Sequence, residues 1–278
     1  MAGNHKVAFI GAGSMAESIF SGLLQQKKLL PENILVTNRQ NEERLNELYE
    51  KYGVQVSSSN EQVLAEADVV ILAMKPAGIQ GAIESIRPFI TKNQLFISVL
   101  AGITTDYISY LLKINAPVVR VMPNTSAAVG SSATVITAGK YVKDEHLKIV
   151  EALFQAVGMV KRVKEADLDG ITALAGSGPA FMYYLVEALY KSAEELGLDR
   201  KLAEELILQM IQGSVDLLQH TDHEPFQLYE SVKSPGGTTE AGLNVLEENH
   251  FQEIMMKCIK RAAARSKEIT EELSIVPV

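Results

Sequence analysis

The sequence predicts a doubly wound α/β domain followed by an all-helical domain. Short Val- and Ile-rich runs alternate with helical stretches from residue 6 to about residue 122, and these runs are apolar on both faces, as in a parallel sheet covered on both sides. After residue 165 almost no strand pattern remains. We therefore predict domains of residues 1–164 and 165–278, both of ordinary size.

The order of elements follows from these patterns. The predicted strands lie at residues 6–10, 34–37, 69–73, 95–99, 118–122, 133–137 and 159–163. Apolar residues at helical spacing predict helices over residues 15–26, 42–52, 61–66, 79–87, 105–113 and 144–156. In the second domain, helices are predicted over residues 180–196, 200–219, 238–248 and 251–272. These last helices carry more apolar surface than a small bundle can hide, which predicts dimerisation through them.

The bulk composition limits the possible partners and compartment. Lys plus Arg number 26 against 34 Asp plus Glu, so the net charge of −8 argues against binding to nucleic acid or to an anionic membrane. No apolar run approaches the ~18 residues of a membrane-spanning helix. The single Cys258 excludes an internal disulfide, and we expect a cytoplasmic protein.

A glycine-rich turn follows the first strand and opens the first helix. Residues 11–16 read GAGSMA and match the dinucleotide fingerprint G-x-G-x-x-G/A in its required strand–turn–helix context. Gly11 permits the tight turn, Gly13 lets the backbone approach a pyrophosphate, and Ala16 lets helix and strand pack closely. With Ser14 and Met15 they form the candidate cofactor-binding turn, at a helix N-terminus that favours an anion.

The end of the second strand indicates which dinucleotide binds. A site that prefers NAD usually has Asp or Glu there to bind the ribose 2′-hydroxyl, whereas this chain reads VTNR at residues 36–39. Asn38 can hydrogen-bond and Arg39 can face a 2′-phosphate, so we predict NADP, with NAD possible as a second cofactor. Ala73, Met74, Lys75 and Pro76 end another strand at the ligand-binding edge and are further candidate cofactor-binding residues, although a strand that simply stops at proline would look the same.

Two more glycine-rich segments precede helical patterns, at residues 175–180 (AGSGPA) and 234–239 (SPGGTT). Each can present free backbone N–H groups and hydroxyls to a carboxylate, although such a segment alone is more often a simple helix start.

Together these motifs closely resemble those of the pyrroline-5-carboxylate reductase family, over nearly the whole chain. The matching segments are GAGSMAESI at 11–19, AMKP at 73–76, RVMPNT at 120–125, TALAGSGPAF at 172–181 and VKSPGGTTEAGL at 232–243. The resemblance implies a Rossmann-like domain, a helical dimerisation domain, and a homodimer that assembles further into a homodecamer. It also implies the reaction, which is reduction of the cyclic imine acid 1-pyrroline-5-carboxylate to L-proline with NAD(P)H, the last step of proline biosynthesis.

The same resemblance assigns roles within the second domain. Ser234, Gly237, Thr238 and Thr239 are expected to hold the substrate carboxylate, and Thr172 is expected to lie near the imine and the nicotinamide amide. A clamped carboxylate suits hydride transfer, which needs the reacting carbons held about 3 to 3.5 Å apart. No strong acid lies in these motifs, so the imine enters protonated or takes its proton through Thr172 or water.

Three alternative functions would fit part of these sequence features. A β-hydroxyacid dehydrogenase is expected to have a catalytic Lys followed four residues later by Asn in the helix at 180–196, where this chain has only Lys191 and no Asn. A related imine reductase shares most of the features, and a non-catalytic NADP-sensing protein has no use for SPGGTT. His220 and His223 lack a third ligand, so we expect no metal site.

Overall fold

The computed structural model describes residues 5–274. The chain forms two compact units, one comprising the chain up to Ser177 together with the chain from Arg261 onward, and the other comprising Gly178–Lys260. The segment 165–177 belongs to the first unit because its side chains pack against the sheet. The domain limits of 1–164 and 165–278 stay a prediction.

A single mixed sheet forms the centre of the first unit. Its strands are β1 Val7–Ile10, β2 Ile34–Thr37, β3 Gln55–Val56, β4 Val69–Leu72, β5 Leu95–Ser98, β6 Val118–Met122, β7 Ser132–Ala138 and β8 Gly158–Arg162. They lie in the order β3-β2-β1-β4-β5-β6-β7-β8. All neighbouring pairs are parallel except β6 and β7, because the short connection between those two strands leaves no room for a helical crossover.

Helices cover both faces of this sheet, which confirms the doubly wound α/β prediction. They are α1 Ser14–Gln25, α2 Glu42–Tyr52, α3 Asn60–Leu64, α4 Ile79–Ile86, α5 Thr105–Leu112 and α6 Asp144–Phe154. Side chains alternate along each strand, so Val7 and Phe9 are buried with α1, α2 and α6, whereas Ala8 and Ile10 are buried with α3, α4 and α5. The sheet therefore has a packed apolar layer on each side.

The remainder of the described chain is helical, as predicted. Its helices are α7 Leu168–Ile171, α8 Gly178–Glu195, α9 Arg200–His220, α10 Pro225–Val232, α11 Thr238–Glu248 and α12 Phe251–Leu273. Many large apolar side chains of the second unit are exposed in the single chain, among them Tyr183, Tyr184, Leu206, Met210 and Leu217. Within residues 5–274, no helix is long and apolar enough to cross a membrane.

Three short elements, β3, α7 and α10, were not predicted from the sequence. Strand β3 has only two residues and lies at the edge of the sheet, where one partner strand stabilises it. Helix α10 has eight residues and begins at Pro225, directly after the polar residues 219–224; proline loses no helical hydrogen bond at this first position.

Candidate functional site

The glycine-rich turn lies between β1 and α1, against the end of β4. Gly11 has φ +116°, and a Cβ placed on it would lie 2.7 Å from the carbonyl carbon and oxygen of Ala73. No other residue fits this position, because both the conformation and the close approach require the absence of a side chain. The structure thus brings the turn and the Ala73–Met74 peptide together.

The first turn of α1 is open for an anion. Gly13 is the N-cap residue, no side chain caps the helix there, and a Cβ on Gly13 would meet nothing within 4 Å. Ser14 is exposed next to it, whereas Ala16 is fully buried in the core. Free N–H groups beside open space, on a helix held close to the sheet, fit a dinucleotide pyrophosphate.

Arg44 of α2 supports this turn, a feature that sequence reasoning missed. Its Nε donates a hydrogen bond to the carbonyl oxygen of Ala12 at 3.2 Å, and its guanidinium forms an ion pair with Glu17. Glu17 also accepts hydrogen bonds from Lys51 at 2.9 Å and from the Tyr52 hydroxyl at 2.7 Å. The only signal in the sequence was the match of opposite charges on two predicted helices, which is too common to single out this network.

Asn38 and Arg39 directly follow β2, beside the glycine-rich turn. The turn is attached to β2 by a 3.0 Å hydrogen bond from the Gly11 N–H to the carbonyl oxygen of Thr37. Arg39 is exposed, and none of residues 5–274 forms an ion pair with it. Its charge is therefore available to an anionic group.

The AMKP segment continues β4 on the other side of β1. The Ala73 N–H donates to the carbonyl oxygen of Ile10 at 3.0 Å, and the exposed Lys75 precedes a short 3-10 helix that starts at Pro76. All the candidate cofactor-binding residues consequently lie at the carboxyl ends of three neighbouring parallel strands, which is the usual ligand-binding edge of such sheets.

Thr172 lies in a widened helical turn of the first unit. Residues Thr172–Gly176 form a π-helix between α7 and α8, closed by a 2.8 Å hydrogen bond from the Ser177 N–H to the Thr172 carbonyl oxygen. The Thr172 hydroxyl oxygen is buried and has no hydrogen-bond partner among the described residues. An unpaired buried hydroxyl costs free energy, so a bound molecule that pairs with it is favoured.

The structure changes the interpretation of the segment at residues 175–180. The sequence predicts a loop before a helix here, with free N–H groups for a carboxylate. In fact its first residues belong to the π-helix, and the Ser177 N–H is already paired. Pro179 has no N–H and cannot close a regular helical turn, which accounts for the irregular geometry at this point.

The segment 234–239 does form a turn before a helix. Gly236, with φ +68°, occupies the third position of a turn that is closed by a 2.9 Å hydrogen bond from the Gly237 N–H to the Ser234 carbonyl oxygen. Gly237 is then the N-cap of α11 without side-chain capping, so the N–H groups of Thr238 and Thr239 have no partner within the helix.

Gly237 also allows the turn to close tightly, because a Cβ there would lie 2.3 Å from Ser234 Oγ and 2.9 Å from the Ser234 carbonyl oxygen.

The predicted site residues are divided between the two compact units. Thr172 lies in the first compact unit with the candidate cofactor residues, whereas residues 234–239 lie in the second. Among the residues that the structure covers, no group of three or more His, Cys, Asp or Glu is arranged to hold a metal ion.

Comparison with known families matches both parts of the chain. Residues 165–269 match the family described as pyrroline-5-carboxylate reductase dimerisation. Residues 6–102 match the family described as NADP oxidoreductase coenzyme F420-dependent. The chain is 46% identical to pyrroline-5-carboxylate reductase 1 from Bacillus spizizenii over 96% of this chain and 90% of that protein. It is 44% identical to pyrroline-5-carboxylate reductase 2 from Bacillus subtilis, over 97% of this chain and 96% of that protein.

Solved structures of such enzymes have the same fold. The pyrroline carboxylate reductase of Plasmodium falciparum with NADP bound superposes with a TM-score of 0.90 and 29% identity, covering 97% of this chain and 100% of that one. The pyrroline-5-carboxylate reductase of Coxiella burnetii superposes with a TM-score of 0.85 and 38% identity, covering 96% and 98%. From its sequence and its fold alike, the chain belongs to the pyrroline-5-carboxylate reductase family.

Proposed function

We infer that this chain reduces 1-pyrroline-5-carboxylate to L-proline by hydride transfer from NAD(P)H, the last step of proline biosynthesis. The observation that carries this conclusion is likeness to reductases of that substrate along almost the entire chain, through both the dinucleotide turn and the helical part. The roles of individual residues in binding the cofactor, binding the substrate and catalysis belong to the same proposal.

The carboxyl edge of the sheet in the first unit binds the cofactor. Gly11, Gly13, Ser14 and Met15 take the pyrophosphate, because their backbone is open and lies at a helix N-terminus. Asn38 and Arg39 bind the 2′-phosphate, and Ala73, Met74, Lys75 and Pro76 flank the ribose and the nicotinamide. When bound, the reduced cofactor supplies the hydride that converts the C=N bond of the substrate into a single bond.

The turn before α11 binds the substrate carboxylate. The N–H groups of Thr238 and Thr239 and the hydroxyl groups of Thr239 and Ser234 donate hydrogen bonds, and the positive end of the α11 dipole favours the negative charge. Gly237 contributes the close approach to Ser234 and does not donate, since its N–H is used inside the turn. Clamping the carboxylate orients the imine carbon for reaction.

Thr172 acts on the imine nitrogen. As the C=N bond is reduced, the nitrogen must carry a proton, and a hydroxyl can hydrogen-bond to a protonated imine or relay a proton from water. The Thr172 hydroxyl is buried and unpaired, so this contact gives it the partner that it lacks. Thr172 is the residue to which we assign a direct catalytic role.

The function and this role are tested in one assay, which follows NADPH absorbance after addition of racemic 1-pyrroline-5-carboxylate. Thr172→Val keeps the shape of the side chain but removes the hydroxyl, and it should lower kcat by about 10- to 100-fold. Thr172→Ser keeps the hydroxyl and should stay within a few-fold of the parent. Full turnover by Thr172→Val at every pH would refute the direct catalytic role of Thr172. Lack of NADPH oxidation by the unmodified chain would refute the proposed function.

The oligomeric state of the chain and its cellular compartment are also part of what we propose. The match to a dimerisation family indicates an oligomer, and we propose that the helical part forms a homodimer and that dimers associate into a homodecamer. The exposed apolar side chains of α8 and α9 support an interface there. A cytoplasmic location is supported by the single cysteine, which needs no oxidising compartment.

A further inference from the structure

One face of β6 and the loop after it hold the segment that contains Thr172. Arg120, Met122 and Asn124 alternate along the chain and so point to the same side. Arg120 Nη1 forms an ion pair with Glu165 Oε1 at 3.0 Å, Met122 packs in a small apolar cluster with Leu168, and Asn124 Nδ2 donates to the Ala175 carbonyl oxygen at 2.9 Å. The segment 165–175 is thus attached to β6 at its beginning, middle and end.

The Asn124 side chain is buried and has a hydrogen-bond partner at each end of its amide. It is only 7% exposed, its Oδ1 accepts from the Ser126 N–H at 3.1 Å, and its Nδ2 is the donor to Ala175. Its own backbone N–H donates to Ser132 Oγ at 3.0 Å. With both ends of the amide paired, Asn124 has one orientation, so it can fix the position of the Ala175 peptide.

The Ala175 peptide belongs to the π-turn that begins at Thr172. In a regular α-helix a threonine hydroxyl commonly bonds to a carbonyl of the preceding turn, but the Thr172 hydroxyl is buried without a partner among the described residues. The wider turn that follows pairs the Thr172 carbonyl with the Ser177 N–H, so the shape of this turn bears on where Thr172 lies. A π-turn is less stable than a regular turn, so it needs support from outside the helix. The hydrogen bond from Asn124 supplies it.

We propose that Asn124 is a positioning residue for the reaction. It holds the π-turn at 172–176, which begins at Thr172, and so fixes the position from which the unpaired Thr172 hydroxyl meets the imine nitrogen. Asn124 itself does not touch the substrate and acts through Thr172. This inference rests on the catalytic role proposed for Thr172.

The first test measures the turn without cofactor or substrate. Asn124→Ser keeps an oxygen that can accept from the Ser126 N–H but removes the donor to Ala175. Hydrogen exchange of the Ser177 amide should become about 5-fold faster or more, as expected for loss of one net hydrogen bond, while amides of β1 and β4 keep their rates. Unchanged exchange at Ser177 would overturn the proposal.

The second test separates positioning from a general structural effect. Asn124→Ser should lower kcat by about 10-fold, with the NADPH dissociation constant from cofactor fluorescence within twofold of the parent. In a Thr172→Val background it should cause no further loss, because residues that act as a unit are not additive. If the fold-loss in kcat of the double variant equals the product of the two single losses, Asn124 does not act through Thr172. The same conclusion follows if Asn124→Ser changes only NADPH binding.

The controls distinguish the possible failures. Asn249→Ser removes an amide donor to a backbone carbonyl at an exposed site, bonded to the Val245 carbonyl oxygen at 2.8 Å, and should leave kcat unchanged. If Thr172→Val is fully active, the role of Thr172 fails; if it is impaired and Asn124→Ser is not, only the present inference fails. Should Asn124→Ser prove too unstable to assay, Asn124→Thr also keeps an oxygen that can accept from the Ser126 N–H, lacks the donor to Ala175 and adds no charge, and the same outcomes apply to it.

Discussion

Glu17 stands at the N-terminal end of α1, close to where a negatively charged pyrophosphate is proposed to bind. Burial alone would raise the pKa of its carboxyl, but hydrogen bonds from Lys51, Tyr52 and Arg44 outweigh burial and lower the pKa to about 2. Glu17 is therefore ionised at neutral pH and compensated by two cations. Arg44 in turn holds the Ala12 carbonyl, so the carboxylate helps to keep the turn in place.

This network predicts a pH dependence of stability. Because the pKa of Glu17 in the folded chain lies below its ordinary 4.5, its contribution to the free energy of unfolding is complete above about pH 4.5 and is lost as the pH falls towards about 2. We expect a loss of about 1–2 kcal/mol after allowance for solvent screening. Urea unfolding at pH 7 and pH 3 should show a smaller difference in Glu17→Gln than in the parent, with the exposed Glu32→Gln as control. If the stability difference between pH 7 and pH 3 is the same in Glu17→Gln as in the parent, Glu17 is not the source of this pH dependence.

Arg39 decides the choice between the two nicotinamide cofactors if it binds the 2′-phosphate. Arg39→Ala should reduce the ratio of kcat/KM for NADPH to that for NADH by about 10- to 100-fold, which corresponds to loss of a charged hydrogen bond. Activity with NADH should change little. Lys92→Ala, which removes one exposed positive charge elsewhere, should leave the ratio unchanged. A parent protein that prefers NADH tenfold, or an unaffected ratio in Arg39→Ala, would refute this role.

The turn that opens α11 is a helix start whose geometry depends on glycine. In Gly237→Ala the new Cβ would collide with the Ser234 carbonyl oxygen, so the turn must open and the donors at Thr238 and Thr239 must shift. We expect KM for 1-pyrroline-5-carboxylate to rise about 10-fold or more, with little change in the NADPH dissociation constant.

A matched glycine in the same helix provides the comparison. Gly242 lies inside α11, and a Cβ there would meet nothing within 4 Å. Gly242→Ala should leave KM unchanged and stabilise the chain by about 0.5–1 kcal/mol, measured as the shift in Tm, because alanine is the better helix former. Equal KM values for Gly237→Ala and Gly242→Ala would refute the proposal that the turn binds the substrate carboxylate.

The exposed apolar surface of the helical part is the interface that we propose for assembly. Leu206, on α9, is 59% exposed in the single chain, although an isolated protein would gain by burying it. Leu206→Glu should shift the mass measured by light scattering towards the 30.4 kDa of one chain. Leu30→Glu makes the same change at a residue of the first unit that is 56% exposed, and it should keep the parent mass. A monomeric parent protein at micromolar concentration would refute the oligomer.

Most of the fold could be predicted from local patterns. The strands that proved parallel and buried are the runs with apolar residues on both faces, and Asn41, Ser59 and Thr104 cap helices that begin where expected. Strand β3, helix α7 and the π-turn were not predicted, because such short elements are stabilised by neighbours that are distant in the sequence. Helix α10 was not predicted either, because it begins at Pro225 directly after a polar stretch.

The sequence by itself determined the motifs available for binding: a glycine-rich turn with the dinucleotide fingerprint, an arginine where a carboxylate would select NAD, and a glycine-rich start to α11. These are properties of contiguous residues, whose conformational preferences and charges act over a few positions. Only the tertiary structure decided that Gly11 lies against Ala73, that Arg44 holds the glycine-rich turn, and that Asn124 bonds to the turn that begins at Thr172. Such contacts join residues far apart along the chain, and they exist only once the sheet has set the distances between its strand ends.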